Sequence, residues 1–447
     1  MPRLHKSFFA AAGGATLLLG LLVACTTPVP SPMAPPPPIN PMGTNAGSQS
    51  GGHTQPLSTR PRDPKAPLVY TGIDVLEGNR FVELKGKRVG LITNQTSINR
   101  NGKRTREVLA AAPEVNLVAL YTPEHGLDGK EKAAAYISTR TDPLTGVIAH
   151  SLYGPTRKPT AAMLKDIDVM VFDLQDIGSR SYTYISTMLL AMEACGENNK
   201  RFMVLDRPNP LGGERVCGPP MEQKWISFVG QFSAPYCHGL TAGEIAHMAN
   251  AKGWSKKRCD LQVIKMINWK RNMSWRDTRL LWVATSPNIP NADSPLYYAT
   301  TGVFGSLTGG DIGIGTLNPF EMVGGKGIDP DELTRYLNGY GMKGVTFTPY
   351  RSVTRPGYAG AKIKLDHNAP VDIAGLNLIF IDLVSRRIQG DLFAKTTQSS
   401  MNIFHKVYGS DNLRGQLASG KTPANIITSW KGSHDRFRKD RKPYLLY

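Results

Sequence analysis

Acidic residues are scarce in this chain. Its 447 residues hold 35 Asp and Glu against 53 Lys and Arg, a formal net charge of +18. Such an excess favours polyanionic surroundings: nucleic acid, an anionic lipid surface or a carboxylate-rich polymer. The basic residues are dispersed, apart from HDRFRKDRK near the C-terminus, so nucleic acid is not an expected partner. Cysteines number five, and neither CxxC nor HExxH occurs, so no metal site is expected. G-x-S-x-G is missing too, and Ser179, Ser181 and Ser286 stand outside nucleophile-elbow contexts. That argues against a Ser–His–Asp hydrolase.

What is present begins with a leader. MPRLHK supplies positive charge and FFAAAGGATLLLGLLVA an apolar stretch suited to a secretory signal. It ends in LLVAC, which resembles the bacterial lipoprotein box, with residues 1–24 removed and Cys25 carrying the lipid; a plain signal cleaved near Ala24, or an uncleaved anchor, is the alternative. By resemblance to Gram-negative lipoproteins, Thr26 rather than Asp after the cysteine implies the outer membrane, with the protein facing the periplasm. Residues 25–65, with PSPMAPPPPINP among them, are too poor in apolar side chains to offset their ordering entropy and read as a tether. No second apolar run of membrane length follows. An oxidising compartment permits disulfides among Cys195, Cys217, Cys237 and Cys259, but the sequence fixes no pairing. Cys195, on the apolar face of a helical pattern, reads as a buried thiol.

The fold class expected is α/β: a Rossmann-like parallel sheet over residues 66–298, then a smaller α+β domain over 299–447. RVGLIT, NLVALYT, DVMVFDL and RFMVLD lack in/out alternation, as fully buried strands do, and helical patterns alternate with them. LTAGEIAHMANAKGW opens with a capping box, Thr241 and Glu244, so Glu244 reads as structural. No dinucleotide fingerprint follows the first strand, and GIG at Gly313–Gly315 reads as a turn. GQLASGKT (Gly415, Gly420, Lys421, Thr422) matches the phosphate-loop pattern, yet no core strand precedes it. Gly420 fits a helix end, and Thr422 with Pro423 a helix start. No nucleotide and no other cofactor is expected.

Polar residues gather after each buried strand: Asn94-Gln95-Thr96; Glu124-His125; Asp173, Gln175, Asp176, Arg180 and Tyr182; and Asp206, Arg207 and Asn209. In a parallel sheet all strand C-termini share one edge, where ligands bind. The chemistry on offer is that of carboxylates: one to protonate a leaving oxygen, another to act on water or sugar. Glu124 is the candidate acid, because partial burial would keep a proton on it. Asp173 and Asp176 are candidate partners. Arg180 and Arg207 suit a substrate carboxylate. For His125 and Asp206 a structural part is as fitting as a functional one.

YTPEHGLDG, SLYGPTRKPTAAML, VFDLQDIGSRSYTYISTM, VLDRPNPLGGE and SFVGQFSAPYCHGLTAGE resemble the exo-β-N-acetylmuramidase family of peptidoglycan hydrolases, and the resemblance runs from about Lys65 to Tyr447. It implies a Rossmann-like catalytic domain, a C-terminal auxiliary domain, and removal of terminal N-acetylmuramic acid from cell-wall fragments without a metal. Glu124 falls at the family's proposed catalytic glutamate. His238 and Asn288, within matched motifs, join the expected substrate-binding set. One segment departs: FGSLTGGDIGIGT, Phe304 to Thr316, has Gly305 and Ile314 where many members carry an acid and an arginine. The alternative is therefore a lipoprotein that binds peptidoglycan without cleaving it.

Overall fold

The apolar runs become neighbouring strands: β1 (Arg88–Ile92), β2 (Asn116–Thr122), β5 (Val169–Phe172) and β6 (Arg201–Leu205). Three further strands, β3 (Arg140–Thr141), β4 (Ile148–Ser151) and β7 (Asp260–Ile264), complete a sheet ordered β3-β4-β2-β1-β5-β6-β7. Only β3 runs antiparallel; β1 pairs in parallel with β2 (Arg88↔Asn116) and with β5 (Val89↔Val169). This computed structural model describes residues 67–131, 138–353, 355–385 and 392–447; the leader, Cys25 and the tether lie outside them. Among the described residues no helix is long and apolar enough to cross a membrane.

Side chains leave both faces of the sheet and are buried on both. Val89 and Leu91 of β1 pack with Leu76, Leu109 and Leu205 on one side, under the helices Gly72–Gly78 and Thr105–Ala111. Ile92, Met170 and Phe172 meet Met188, Met192 and Ile245 on the other, under Tyr184–Glu197 and Ala242–Lys252. Each fully buried side chain of this kind contributes about 1.5–3 kcal/mol. The second core does not stop at the sheet. It continues through Tyr298 and Phe304 to Phe380 in the C-terminal part, where β8 (Met322–Lys326), β9 (Val345–Arg351) and β10 (Tyr358–Leu365) form an antiparallel sheet ordered β8-β10-β9.

The capping-box and phosphate-loop motifs both take up helix-terminal geometry. Thr241 Oγ1 accepts from the Glu244 amide while Glu244 accepts from the Thr241 amide, and Glu244 is fully buried against Arg271. GQLASGKT lies between two short helices, Leu413–Ala418 and Pro423–Ser429. Gly420 turns the chain at φ +84°, and Thr422 Oγ1 accepts from the Asn425 amide at 3.2 Å as the N-cap.

The strand order locates the site. Going out from β1, the chain first winds towards β2 and β4, then returns to add β5, β6 and β7 on the other side. The reversal falls between β1 and β5, and a crevice opens beyond strand C-termini at such a point. Asn94-Gln95-Thr96 follows β1 and Asp173 to Asp176 follows β5, with Glu124 one strand away after β2.

Candidate active site

Glu124 sits in the loop after β2, 8% exposed. Thr183, just before the helix Tyr184–Glu197, donates its hydroxyl to Glu124 Oε2 at 2.9 Å. The Tyr153 hydroxyl, in the turn after β4, also hydrogen-bonds Glu124; burial, then that carboxyl, holds the phenol well above its usual pKa. His125 takes a left-handed φ of +71°, and its Nδ1 lies 2.9 Å from the Glu131 carbonyl. A non-glycine residue in that region is strained, so the turn that fixes Glu124 is held by its surroundings.

Tyrosines surround this carboxyl. Tyr182 and Tyr184 meet edge-on at 4.9 Å, and Tyr182 and Tyr298 at 6.0 Å. Their hydroxyls are tied down: Tyr182 donates to Thr285 Oγ1 at 2.8 Å, Tyr184 to the Thr285 carbonyl at 2.7 Å, and Ser181 Oγ lies 2.9 Å from both the Tyr236 and Tyr298 hydroxyls. Burial raises the Tyr298 phenol to about 12, with lesser contributions from the charges of Glu124 and Asp176. It therefore stays a neutral donor. Tyr298 belongs to the helix Ser294–Thr301, which opens the C-terminal part, so both parts of the chain build the site.

Asp176 is the second carboxyl here. Gly178 turns the loop at φ +81°, where a Cβ would meet Asn209 Oδ1 at 2.2 Å, and its amide donates to Asp176 Oδ2 at 2.8 Å. Asp176 Oδ1 is buried with no hydrogen-bond partner among the described residues. Burial pushes the group up to about 7, against the opposing pull of the Gly178 and Ile177 amides.

Several other expected site residues are engaged within the protein instead. Asp173 is fully buried and receives Arg207 Nη2 at 2.8 Å, Arg207 Nε, and Thr105 Oγ1 at 2.5 Å. Arg207 is drawn further into the protein by Nη2, which also donates to the Ile98 carbonyl at 2.9 Å. Arg180, expected to bind a substrate carboxylate, is 1% exposed and donates to four carbonyls: Pro219, Ala234, Val407 and Tyr408. The correction has a plain cause: a buried guanidinium needs hydrogen-bond partners, and distant backbone supplies them to both terminal nitrogens here, leaving only Nε without a partner among the described residues. Asp206 accepts from the Gly243 amide, Thr241 Oγ1 and the Tyr447 hydroxyl, fixing a helix start and the chain terminus; burial first raises it, to about 6. Asn209 donates to the Leu240 carbonyl at 3.0 Å. His238 is fully buried, accepts from the Leu240 amide at Nδ1, and is lowered by burial to about 3.

The residues after β1 frame the rim. Asn94 donates to the Tyr184 hydroxyl at 2.8 Å and accepts from Thr96, whose hydroxyl accepts the Gln175 amide at 3.0 Å. Gln95 Nε2 donates to the Ala284 and Thr285 carbonyls, and Gln175 Nε2 to the Asp176 and Pro208 carbonyls. Gln95 Oε1 and Gln175 Oε1, like Asp176 Oδ1, are buried acceptors without partners among the described residues. Asn288 is half-buried in the loop after Ser286. The divergent segment is a packed turn: a Cβ on Gly305 would meet Ile312 Cδ1 at 2.2 Å, and Asp311 is buried beside Arg355. Tyr153, Thr183, Tyr184 and Tyr298 were not singled out from sequence. Among the described residues no cluster of three His, Cys, Asp or Glu is placed to hold a metal ion.

A doubly wound sheet whose strand ends present two buried carboxyls among neutral tyrosines defines an α/β protein with carboxyl chemistry on offer at its rim. Residues 89–293 match the family described as exo-beta-N-acetylmuramidase NamZ, N-terminal, and residues 296–447 the corresponding C-terminal family; the chain belongs to the NamZ family. The peptidoglycan beta-N-acetylmuramidase NamZ of Bacillus subtilis (strain 168) is 41% identical over 389 residues, covering 86% of this chain and 92% of the relative. Crystal structures of two DUF1343 family proteins from Bacteroides fragilis share the fold. One has TM-score 0.79 and 40% identity, over 86% of this chain and 100% of its own; the other has TM-score 0.67 and 29% identity, over 85% and 99%.

Proposed function

We propose that this chain is an exo-acting glycosidase that releases N-acetylmuramic acid from the non-reducing end of peptidoglycan fragments during cell-wall turnover. The observation that carries the reading is the convergence of Glu124, Asp176 and four tyrosines where both parts of the chain meet, in a relative of a peptidoglycan beta-N-acetylmuramidase. Glu124 is the acid at the glycosidic oxygen, its carboxyl oriented by Thr183 and Tyr153. Asp176 in its ionised form acts on water or on the sugar. The tyrosine rings offer apolar faces to the pyranose, while the hydroxyls of Tyr182 and Tyr184 are spent on Thr285 and hold the rings in place.

Incubation with a chromogenic N-acetylmuramide is expected to release the dye. Glu124→Gln is expected to lower the rate by about 10²–10⁴-fold with an unchanged unfolding midpoint. Retention on peptidoglycan with no sugar released by the wild type would leave the binding-only alternative standing.

The leader and LLVAC support export and a lipid on Cys25, with the tether spacing the folded part from the outer membrane on its periplasmic side. Nucleic acid and nucleotides have no part in this reading.

A further inference from the structure

The two segments Cys217–Pro220 and Ala234–Cys237 run antiparallel as a short ribbon. Cys217 and Cys237 are partners in it and exchange both backbone hydrogen bonds, 3.1 Å from the Cys217 amide and 2.9 Å from the Cys237 amide. Residues so paired have Cα atoms about 5.5 Å apart, inside the roughly 4.4–6.8 Å that a disulfide spans. Their side chains share one face of the ribbon and touch. The Cys217 thiol is held well above its usual pKa, first by its hydrogen bond with the Cys237 thiol and then by burial. Both are free thiols here, 7% and 0% exposed.

The other two cysteines offer a contrast in the same molecule. Cys195 Sγ faces Met170 Sδ at 3.9 Å, and Cys259 Sγ faces Asn250 Oδ1 at 3.9 Å. These two lie within electrostatic range of each other, but each sulfur's hydrogen-bonding contact is with another atom, and neither lies on a ladder with a second cysteine.

We propose that Cys217 and Cys237 are a disulfide pair in the exported protein. Two thiols lose two protons and two electrons and one S–S bond forms. The electrons pass by thiol–disulfide exchange to the disulfide of a thiol oxidoreductase or of oxidised glutathione, which leaves as two thiols. A thiol buried and held protonated reacts slowly, so the bond closes while the ribbon is still forming. Cys217 also lines a cavity of about 460 Å³ between the loop Leu211–Cys217 and the C-terminal residues His367–Asp372, which keeps that side of the bond open to reductants.

The bond would brace the wall behind the active site. Tyr236, next to Cys237, accepts the Arg180 amide at its carbonyl (2.8 Å) and reaches Ser181 Oγ through its hydroxyl (2.9 Å). Ser181 in turn holds Tyr298. The link therefore fixes the ribbon against which the tyrosines beside Glu124 are set.

Occurrence in the cell rests on the export proposed above, whereas the pairing rests on geometry alone, and the test separates them. The full chain is prepared in two ways: isolated from the cell envelope after export, and refolded from the reduced, denatured state in a reduced/oxidised glutathione buffer. Both are denatured without reductant, alkylated, digested with trypsin and mapped by mass spectrometry. The four cysteines fall in different tryptic peptides, so pairing is read directly. The expected result in both arms is Cys217 cross-linked to Cys237, with Cys195 and Cys259 alkylated. Cys217 and Cys237 both alkylated after refolding, or either linked to another cysteine, overturns the pairing. The link present after refolding but missing from envelope protein overturns the proposal for the exported protein, whereas recovery of the chain from the cytosol alone counts against export. Reducing the bond is expected to lower the unfolding midpoint by about 4 °C, as closure of a loop of this length implies.

Discussion

Two halves of one sheet edge carry similar residues to different ends. At the β5–β6 half, Asp173, Asp206 and Arg207 are buried with nearly every polar atom partnered by the protein. At the half shared by Glu124 and Asp176, acceptors are left over: Asp176 Oδ1 and Gln175 Oε1 are buried without partners among the described residues, and the Tyr298 phenol beside them stays neutral. Buried polar atoms are nearly always satisfied, so an exception calls for an explanation. Partnered charge at one half holds loops, whereas the bare acceptors of Asp176 and Gln175 keep capacity for a ligand.

The largest expected effect comes from Asp176→Asn. As the group that acts in ionised form, Asp176 should give an activity that climbs as pH rises through about 7 and falls by about 10²–10⁴-fold in the variant, with the climb gone. A wild-type rate that declines through that range would reverse the roles of the two carboxyls. Stability should move the other way. The folded-state value is raised above the ordinary 3.8, so the neutral acid's contribution is present at low pH and is lost as pH rises through about 7. Asn keeps the neutral form at every pH and should stabilise the protein at pH 8 by an amount on the order of a few kcal/mol, read by denaturant unfolding. Asp206, raised to about 6 with the same sign, leaves a smaller slope in the variant.

Arg207→Ala tests the opposite half. Asp173 would be left buried with only the Thr105 hydroxyl beside it, at a cost of about 3–5 kcal/mol. Denaturant unfolding should show that loss in full, and the pH dependence of the remaining activity should keep its wild-type shape. A variant as stable as wild type, but with KM raised for muramides, would return Arg207 to the substrate and dissolve the contrast between the halves.

The long buried strands were legible because four unbroken apolar runs have few other ways to be buried, and the polar residues after each run marked the edge where the site lies. Strand β4 was not. It is four residues long, Ile148 is half exposed, and His150 and Ser151 interrupt any apolar pattern; Tyr153, set by that strand, went unnoticed with it. The arginines misled for a different reason. Arg180 finds two of its acceptors at Val407 and Tyr408, more than two hundred residues along the chain, and no local pattern records such a partner. Sequence placed cations at the rim; only packing distinguished those already engaged.

Arg157 sharpens that distinction. Its guanidinium lies 4.3 Å from the Phe228 ring centroid and 5.5 Å from that of Tyr153, the residue that hydrogen-bonds Glu124. It is half-buried, and among the described residues no carboxylate pairs with it. Stacking on two rings holds the group in place while leaving its edge donors for a planar anion. N-acetylmuramic acid differs from N-acetylglucosamine by a lactyl ether that ends in a carboxylate, and a muramide bound beside Tyr153 would bring that carboxylate towards Arg157. Arg157→Ala should raise KM for a muramide by about 10-fold with kcat little changed, the pattern of lost uniform binding. Turnover of the corresponding muramide methyl ester, which has no charge to read, should be poor in the wild type and unaffected by the substitution. An equal loss for both substrates would show that Arg157 supports Tyr153 rather than the ligand, and would place it with Arg180 and Arg207 among the engaged arginines.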